Sequence, residues 1–229
     1  MDSYRQFCPV AKAAELLTRK WTPLVVRELL QGSHRYNDLK RGLPAISPTL
    51  LSRRLTELEQ AGVVRRVRPE EGDYWEYRLT EAGEELRPVI EGLGKWGKRW
   101  SRAELSEDDL DAGLLMWDLH RRLPEDRLPD ERAVVRFRFR DAPEEERDFW
   151  LVLDEGDVDL CIDDRGLDVD LRVVTDVRTL TSVWLGDAPL SRAVKRRKIR
   201  LRGPEELRRA FPGWLGLSLF ADVERQRRG

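Results

Sequence analysis

Hydrophobic positions in the first half of the chain recur every three or four residues, which predicts a series of short helices. Residues 9–18, 21–31 and 36–41 are the first three segments, and a glycine follows the second and the third. A turn then leads into a fourth helix that begins at Ser47. A short helix, a tight turn and a second helix predict a helix-turn-helix, whose second helix can lie in a DNA major groove.

The fourth predicted helix is amphipathic. Leu51, Leu55 and Leu58 fall on one face, while Ser47 suits the N-cap and Pro48 the first helical position. The opposite face carries hydroxyl groups and an arginine, which can donate to base edges and phosphates. The residues predicted to contact DNA are Ser47, Pro48, Thr49, Ser52, Arg53 and Thr56. A solvated helix of an all-α domain is the alternative for this stretch taken alone.

Two strand-like segments joined by a turn follow this helix. Residues 63–68 and 74–79 predict the two strands of a hairpin, and a further helical stretch follows from Thr80. A hairpin directly after a helix-turn-helix predicts the winged form of that domain.

Charges on the predicted wing differ between its tip and its strands. The tip carries the carboxylates of Glu70, Glu71 and Asp73, which would repel phosphate. We therefore expect Arg68 and Arg78, on the strands, to approach DNA. The alternative is that these arginines are solvated strand charges paired with Glu76.

The second half mixes strand and helix patterns. A polar, acidic stretch at 101–111 predicts a linker, and a helix follows at 112–123. From residue 133 apolar and charged residues alternate in several strands, followed by helical segments near 176–197, a short strand and a last helix. This order predicts an α+β domain with an antiparallel sheet packed by helices.

Composition and charge restrict the class of protein and its domain organisation. The 229 residues are 40% hydrophobic and 37% charged, and their apolar runs are too short for a transmembrane helix. Residues 1–102 have a net charge of +5 and the remainder −6, which favours two domains with the first meeting a polyanion. The N-terminus lacks a signal-peptide pattern, and two cysteines make no disulfide framework, so we expect a cytoplasmic protein.

Signatures of enzyme chemistry are absent from the sequence patterns. There is no glycine-rich phosphate loop, and the two histidines and two cysteines have no metal-ligand spacing. No serine lies in the G-x-S-x-G context of a nucleophile elbow. We therefore expect a protein that is not an enzyme and that has no cofactor or metal.

The N-terminal segment resembles the HxlR family of bacterial winged-helix transcriptional regulators over roughly residues 7–95. The matching pieces are Cys8-Pro9-Val10, Lys20-Trp21-Thr22, Arg35 to Leu39, Ile46-Ser47-Pro48, Leu58 to Val63 and Glu76 to Thr80. The resemblance implies a homodimer joined through its N-terminal segment and the helix after the wing. It also implies that Pro48 to Thr56 belong to the recognition helix.

Cys8 is a candidate thiol switch. It precedes Pro9 at the start of a predicted helix, where the helix dipole and nearby cations favour a thiolate. Some regulators of this family resemble this arrangement and sense oxidants or electrophiles through such a cysteine. The alternative is a small residue packed at a dimer interface.

Residues 133–222 resemble a sterol carrier protein type 2-like domain. In that family a helix ending in W-x-G, a further helix, a strand and a G-P or G-D pair precede the last helix. Trp184-Leu185-Gly186 and Gly203-Pro204 occupy those places. The resemblance implies a tunnel for an apolar molecule, and the predicted lining residues are Phe137, Phe139, Trp150, Leu160, Leu171, Trp184 and Trp214. The alternative for each of these residues is ordinary core packing.

Together the patterns predict a homodimeric, DNA-binding transcriptional regulator. We expect a winged helix-turn-helix domain for DNA binding and dimerisation at 1–100, a linker and connecting helix at 101–132, and an apolar-ligand domain at 133–229. The expected partners are double-stranded DNA, a second copy of the chain and a small apolar ligand, but no membrane. The alternative is an apolar-ligand binding or carrier protein that uses the winged helix only to dimerise.

Overall fold

The computed structural model describes residues 3–70, 72–101, 105–129, 131–154 and 157–226. The chain divides into two compact units, one reaching to Trp96 and the other starting at Gly97. Each unit has its own hydrophobic core.

The first unit contains five helices and a hairpin among the described residues, and it shares a sixth helix with the second unit. The helices are α1 (Pro9–Leu17), α2 (Thr22–Leu30), α3 (Tyr36–Gly42), α4 (Pro48–Gln60), α5 (Glu81–Glu84) and α6 (Arg87–Trp100). The hairpin consists of β1 (Val64–Val67) and β2 (Glu76–Leu79), paired antiparallel with Val64 opposite Leu79. The Tyr77 N–H also donates to the His34 carbonyl at 2.8 Å, so the loop before α3 extends the hairpin.

The core of the first unit lies between α2, α3 and α4. Leu51, Leu55 and Leu58 of α4 are almost completely buried, against Val25 and Val26 of α2. Burial of each such side chain contributes about 1.5–3 kcal/mol. This packing fixes the inner face of α4 and leaves its outer face to solvent.

The second unit is a five-stranded sheet with helices. Its strands are β3 (Ala133–Phe139), β4 (Asp148–Asp154), β5 (Asp157–Cys161), β6 (Leu171–Thr175) and β7 (Arg200–Arg202), and its helices are α7 (Ala112–His120), α8 (Val177–Trp184), α9 (Leu190–Lys195) and α10 (Glu205–Trp214). Short 3-10 turns lie at Glu107–Asp109, Glu125–Arg127 and Glu144–Glu146. The strand order is β5-β4-β3-β6-β7.

The sheet is mixed. The pair of β3 and β6 is parallel, with Val135 opposite Leu171, and the other described pairings are antiparallel. The parallel pair arises because the chain crosses from β5 at one edge back to the far side of β3.

The two faces of this sheet differ in the number of apolar side chains that they bury. The larger face packs against α7, α8 and α10 in the main core, which includes Phe137 and Leu171. The other face holds a small cluster of Val134, Trp150 and Cys161. The prediction of an α+β chain with an N-terminal winged helix-turn-helix is confirmed.

Candidate nucleic-acid interface

The first turns of α4 present a polar face to solvent. Ser47 caps the helix, because its Oγ accepts a hydrogen bond from the Leu50 N–H at 3.3 Å. The six predicted contact residues are all exposed: Ser47, Pro48, Thr49, Ser52, Arg53 and Thr56. Thr56 donates its hydroxyl proton to the Ser52 carbonyl at 3.0 Å, so it offers a partner its methyl group and a lone pair.

Arg53 and Arg54 are neighbours in sequence but have different surroundings. The Arg53 side chain is 62% exposed, and its Nε lies 4.0 Å from a Glu57 carboxylate oxygen. Arg54 is buried; its Nε donates to the Lys20 carbonyl at 2.9 Å and its guanidinium donates to Glu57 at 2.6 Å. Sequence reasoning missed this role. The available signal was position, since Arg54 lies four residues before the buried Leu58 and therefore on the same face.

Glu57 ties α4 to the segment between α1 and α2. Arg19 lies 2.9 Å from Oε1 of Glu57, while Arg54 binds Oε2. Burial raises the pKa of Glu57, but hydrogen bonds and positive charge from Arg54 and Arg19 outweigh burial and leave that pKa below its ordinary value. The ionised carboxylate holds the buried side of α4 in place, and Arg53 remains available on the exposed side.

The turn between α3 and α4 is fixed by two side chains of α3. The Tyr36 hydroxyl donates to the Pro48 carbonyl at 3.0 Å, and the Lys40 ammonium donates to the Pro44 carbonyl at 2.6 Å. These bonds set the direction in which α4 begins.

Both predicted wing arginines have carboxylate partners. Arg68 forms an ion pair with Asp73, and Arg78 donates to one Glu76 oxygen through Nε at 2.9 Å and a terminal nitrogen at 2.6 Å. The pairing of Arg78 with Glu76 is the alternative expected from the sequence. Glu71, predicted at the tip, lies outside the described residues.

Two further arginines stand on β1. Arg66 stacks over the half-exposed Trp75 ring at 4.7 Å, and Arg65 lies opposite Arg78. Within the part of the chain that the structure describes, no carboxylate lies within ion-pair distance of Arg65 or Arg66. Their positive charge is therefore more available to a polyanion than that of Arg68.

A groove of about 600 Å³ runs beside the wing, lined in part by His34, Arg65 and Arg78. The His34 Nδ1 is buried and has no hydrogen-bond partner among the described residues. Burial lowers the pKa of His34, and the positive charge of Arg78 lowers it further. The imidazole is therefore held in its neutral form at neutral pH.

Apolar side chains remain exposed on α1 and α6. Val89, Leu93 and Trp96 of α6 form a stripe at spacings of four and three residues, and each is at least 44% exposed. Phe7, just before α1, is 100% exposed, and Val10 in its first turn is also exposed. An exposed apolar stripe such as that of α6 is typical of an interaction surface.

Cys8 lies in the sequence between the exposed Phe7 and Val10. It is half-buried and occupies the N-cap position of α1, with Pro9 in the first turn. The neighbouring Lys12 ammonium is paired with Glu15 at 3.0 Å, which reduces the positive charge that it offers to the thiol. Cys161 is buried in the second unit.

The structure places most of the predicted lining residues at one cluster. Phe137, Phe139, Leu171 and Trp214 are buried in the main core of the second unit, and Leu160 and Trp184 are partly buried against it. Trp150 is not brought together with them, because it points to the opposite face of the sheet. The Trp184 indole Nε1 is buried without a hydrogen-bond partner among the described residues.

In the described part of the chain, no group of three or more His, Cys, Asp or Glu residues could hold a metal ion. No described helix is long and apolar enough to cross a membrane.

Part of this chain is similar in sequence to known transcriptional regulators. The family model described as HxlR-like helix-turn-helix matches residues 16–105, and the residues after 105 lie outside that match. The HTH-type transcriptional regulator YvaP of Bacillus subtilis (strain 168) is 41% identical over 97 residues, which cover 42% of this chain and 90% of YvaP. The HTH-type transcriptional regulator sll1512 of Synechocystis is 39% identical over 107 residues, 46% of this chain and 79% of the relative. Among solved structures, the reduced form of the transcriptional regulator YodB from B. subtilis is 33% identical, covers 42% of this chain and 97% of YodB, and has a TM-score of 0.38.

Proposed function

The chain belongs to the HxlR-like helix-turn-helix family, and from that premise we propose that it is a sequence-specific DNA-binding transcriptional regulator. Its relatives YvaP and sll1512 are named HTH-type transcriptional regulators. The observation that carries the proposal is the exposed face of α4, where Thr49, Ser52 and Arg53 stand opposite a buried leucine face. Arg53 can donate twice to a guanine edge, and the small hydroxyl side chains permit close approach to the groove.

We further propose that the protein acts as a homodimer in the cytoplasm. Two copies would place Pro48–Thr56 of each protomer in successive major grooves, about 34–36 Å apart. Support comes from the exposed stripe of Val89, Leu93 and Trp96 on α6 and from the exposed Phe7. Residues 1–100 would then provide DNA binding and dimerisation, and 101–132 would lead into the ligand domain at 133–229.

The wing contributes to this proposal through its strands. Arg68 and Arg78 would meet phosphates only after exchanging their carboxylate partners for DNA. Arg65 and Arg66 have no carboxylate partner among the described residues, so they could bind phosphates without first breaking an ion pair. We therefore extend the proposed contact set by these two residues.

We propose an apolar effector for the second unit, on the pattern of a sterol carrier protein type 2-like domain. The elements follow the order that this resemblance implies: α8 ends at Trp184, α9 and β7 follow, and Gly203-Pro204 precedes α10. The unpartnered Nε1 of Trp184 adds a physical reason, because an effector with an acceptor group would satisfy a buried donor. Titration of cis-parinaric acid tests this: saturable fluorescence that Trp184→Phe weakens supports the proposed effector site, and no binding rejects it.

Cys8 remains a proposed thiol switch. Two Cys8 thiols facing each other across the dimer would form one disulfide while diamide is reduced to its hydrazine. The expected result is that diamide changes DNA binding of the wild type and of Cys161→Ser, but not of Cys8→Ser. Equal responses from both variants would reject the switch.

Selection of bound duplexes from a random library, with full-length protein across a salt series, tests the main proposal. Recovery of an inverted repeat is expected. Arg53→Ala should then weaken binding to the selected duplex by about 1–3 kcal/mol, while Arg165→Ala, an exposed arginine of the second unit, should not. Sequence-blind binding that disappears at moderate salt would instead favour the carrier alternative, in which the winged helix only dimerises.

A further inference from the structure

One edge of the second unit carries a concentrated positive charge. Residues 192–209 contain nine Lys and Arg against two Glu, a net charge of +7, and all nine cations are exposed. They stand on α9, β7, the loop between them and the beginning of α10. The other residues from 103 onward contain 14 basic and 27 acidic groups, a net of −13. We call residues 192–209 the arginine face.

Most of these cations lack an ionic partner. Arg209 pairs with Glu205, but in the described ranges no carboxylate lies within ion-pair distance of the other eight. A solvent-open groove of about 630 Å³ crosses the face, and Arg197, Arg200 and Arg208 are among its lining residues. Mutual repulsion within this face is a cost that an anionic partner would remove.

Protection of an edge strand explains only part of this pattern. Charged side chains on an edge strand prevent its pairing with another sheet, which accounts for Arg200 and Arg202 on β7. Either sign of charge would serve that purpose, and the opposite edge strand, β5, carries Asp157 and Asp159. The sheet is therefore positive at one edge and negative at the other. A polyanion would be attracted to the β7 edge and repelled by the β5 edge.

We infer that the arginine face binds the phosphate backbone of duplex DNA beside the site contacted by α4. The inference rests on the proposed function, because α4 would hold the DNA at high local concentration for the second unit of the same chain. Seven of the nine cations are arginines, whose planar guanidinium groups can donate two hydrogen bonds to one phosphate. No large apolar side chain of residues 192–209 is strongly exposed, so the face lacks the anchor of a membrane-binding surface.

The test compares two triple variants of the full-length protein. The face variant carries Arg196→Gln, Arg200→Gln and Arg208→Gln. The control variant carries Arg127→Gln, Arg132→Gln and Arg165→Gln, which removes the same charge from exposed positions elsewhere in the second unit. Affinity is measured from about 50 to about 200 mM salt on two duplexes, one limited to the selected site and one extended on both sides.

On the extended duplex, the slope of log affinity against log salt should be smaller by about 2–3 for the face variant, at about 0.9 per lost phosphate contact. Its affinity there should fall about tenfold or more, whereas the control should match the wild type. Lysine at the same three positions should restore the slope. On the short duplex all proteins should agree.

Equal slopes and affinities for the two triple variants on the extended duplex would overturn the inference. So would a face variant that loses binding only to vesicles containing phosphatidylserine, which would assign the face to anionic lipid. The affinities and salt slopes of the face variant and the control variant can also be compared on an extended duplex of arbitrary sequence. A wild type that selects no sequence would therefore reject the proposed function without deciding this test.

Discussion

The Nε of Arg54 donates a hydrogen bond to the backbone carbonyl of Lys20 at 2.9 Å, and this bond joins α4 to the turn before α2. The same guanidinium donates to Glu57 at 2.6 Å. Arg53, one position earlier, points to solvent. The helix therefore uses one arginine to fix its position and presents the other to a partner.

Replacement of Arg54 by Met should destabilise the protein by about 2–3 kcal/mol, because it leaves the Lys20 carbonyl and one carboxylate oxygen of Glu57 without their charged donor. Arg53→Met, on the exposed side, should change stability by less than about 0.5 kcal/mol. The urea midpoints of the two variants, at unchanged slope, measure this difference. Equal midpoints would contradict the assignment of separate roles.

The wing carboxylate Asp73 should weaken DNA binding, because it pairs with Arg68 and repels phosphate. Asp73→Asn should therefore raise affinity for the selected duplex several-fold and steepen the salt dependence by about 0.9, equivalent to one added phosphate contact. Asp222→Asn makes the same change at an exposed position of the second unit and should have no effect. If the wing does not contact DNA, both variants should have the affinity and salt dependence of the wild type.

Acid should destabilise the first unit through His34. Burial and the charge of Arg78 hold its folded-state pKa below the unfolded value of about 6.5, so the unfolded chain binds the proton more readily. This contribution to stability is present above about pH 6.5 and is lost as the pH falls through the folded pKa. Melting curves between about pH 8 and pH 5 should show a smaller loss for His34→Gln than for the wild type. Identical losses would assign the acid sensitivity to other groups.

Local patterns were sufficient to predict the helices and strands, since each is set by spacing, caps and glycines within a few residues. Ser47 and Pro48 fix the start of α4, and the predicted hairpin strands differ from β1 and β2 only at their ends. The parallel pairing of Val135 with Leu171 was beyond such patterns, because strand alternation does not say which distant strand is the neighbour.

Side-chain partners were harder to predict than elements. Both faces of β4 are apolar, so the sequence pattern could not show that Trp150 turns away from Phe137. Arg68 and Arg78 are residues of the type that binds phosphate, and the sequence alone places them on the wing. The three-dimensional structure is needed to show that Asp73 and Glu76 pair with them.

The exposed stripe on α6 should be the centre of the homodimer interface. Leu93 lies between Val89 and Trp96 on that stripe, and in a twofold dimer each substitution acts twice. Leu93→Glu removes roughly 2 kcal/mol of apolar burial per protomer and adds the cost of burying a charge, so sedimentation should show monomers where the wild type is dimeric. Lys95→Gln changes the charge of the same helix by the same amount at an exposed polar position and should remain dimeric. Monomeric Leu93→Glu should also lose its preference for an inverted repeat over a single half-site, because only a dimer engages both halves. A Leu93→Glu protein that stays dimeric would exclude this stripe as the interface, and the exposed Phe7 and Val10 would then be the next residues to substitute.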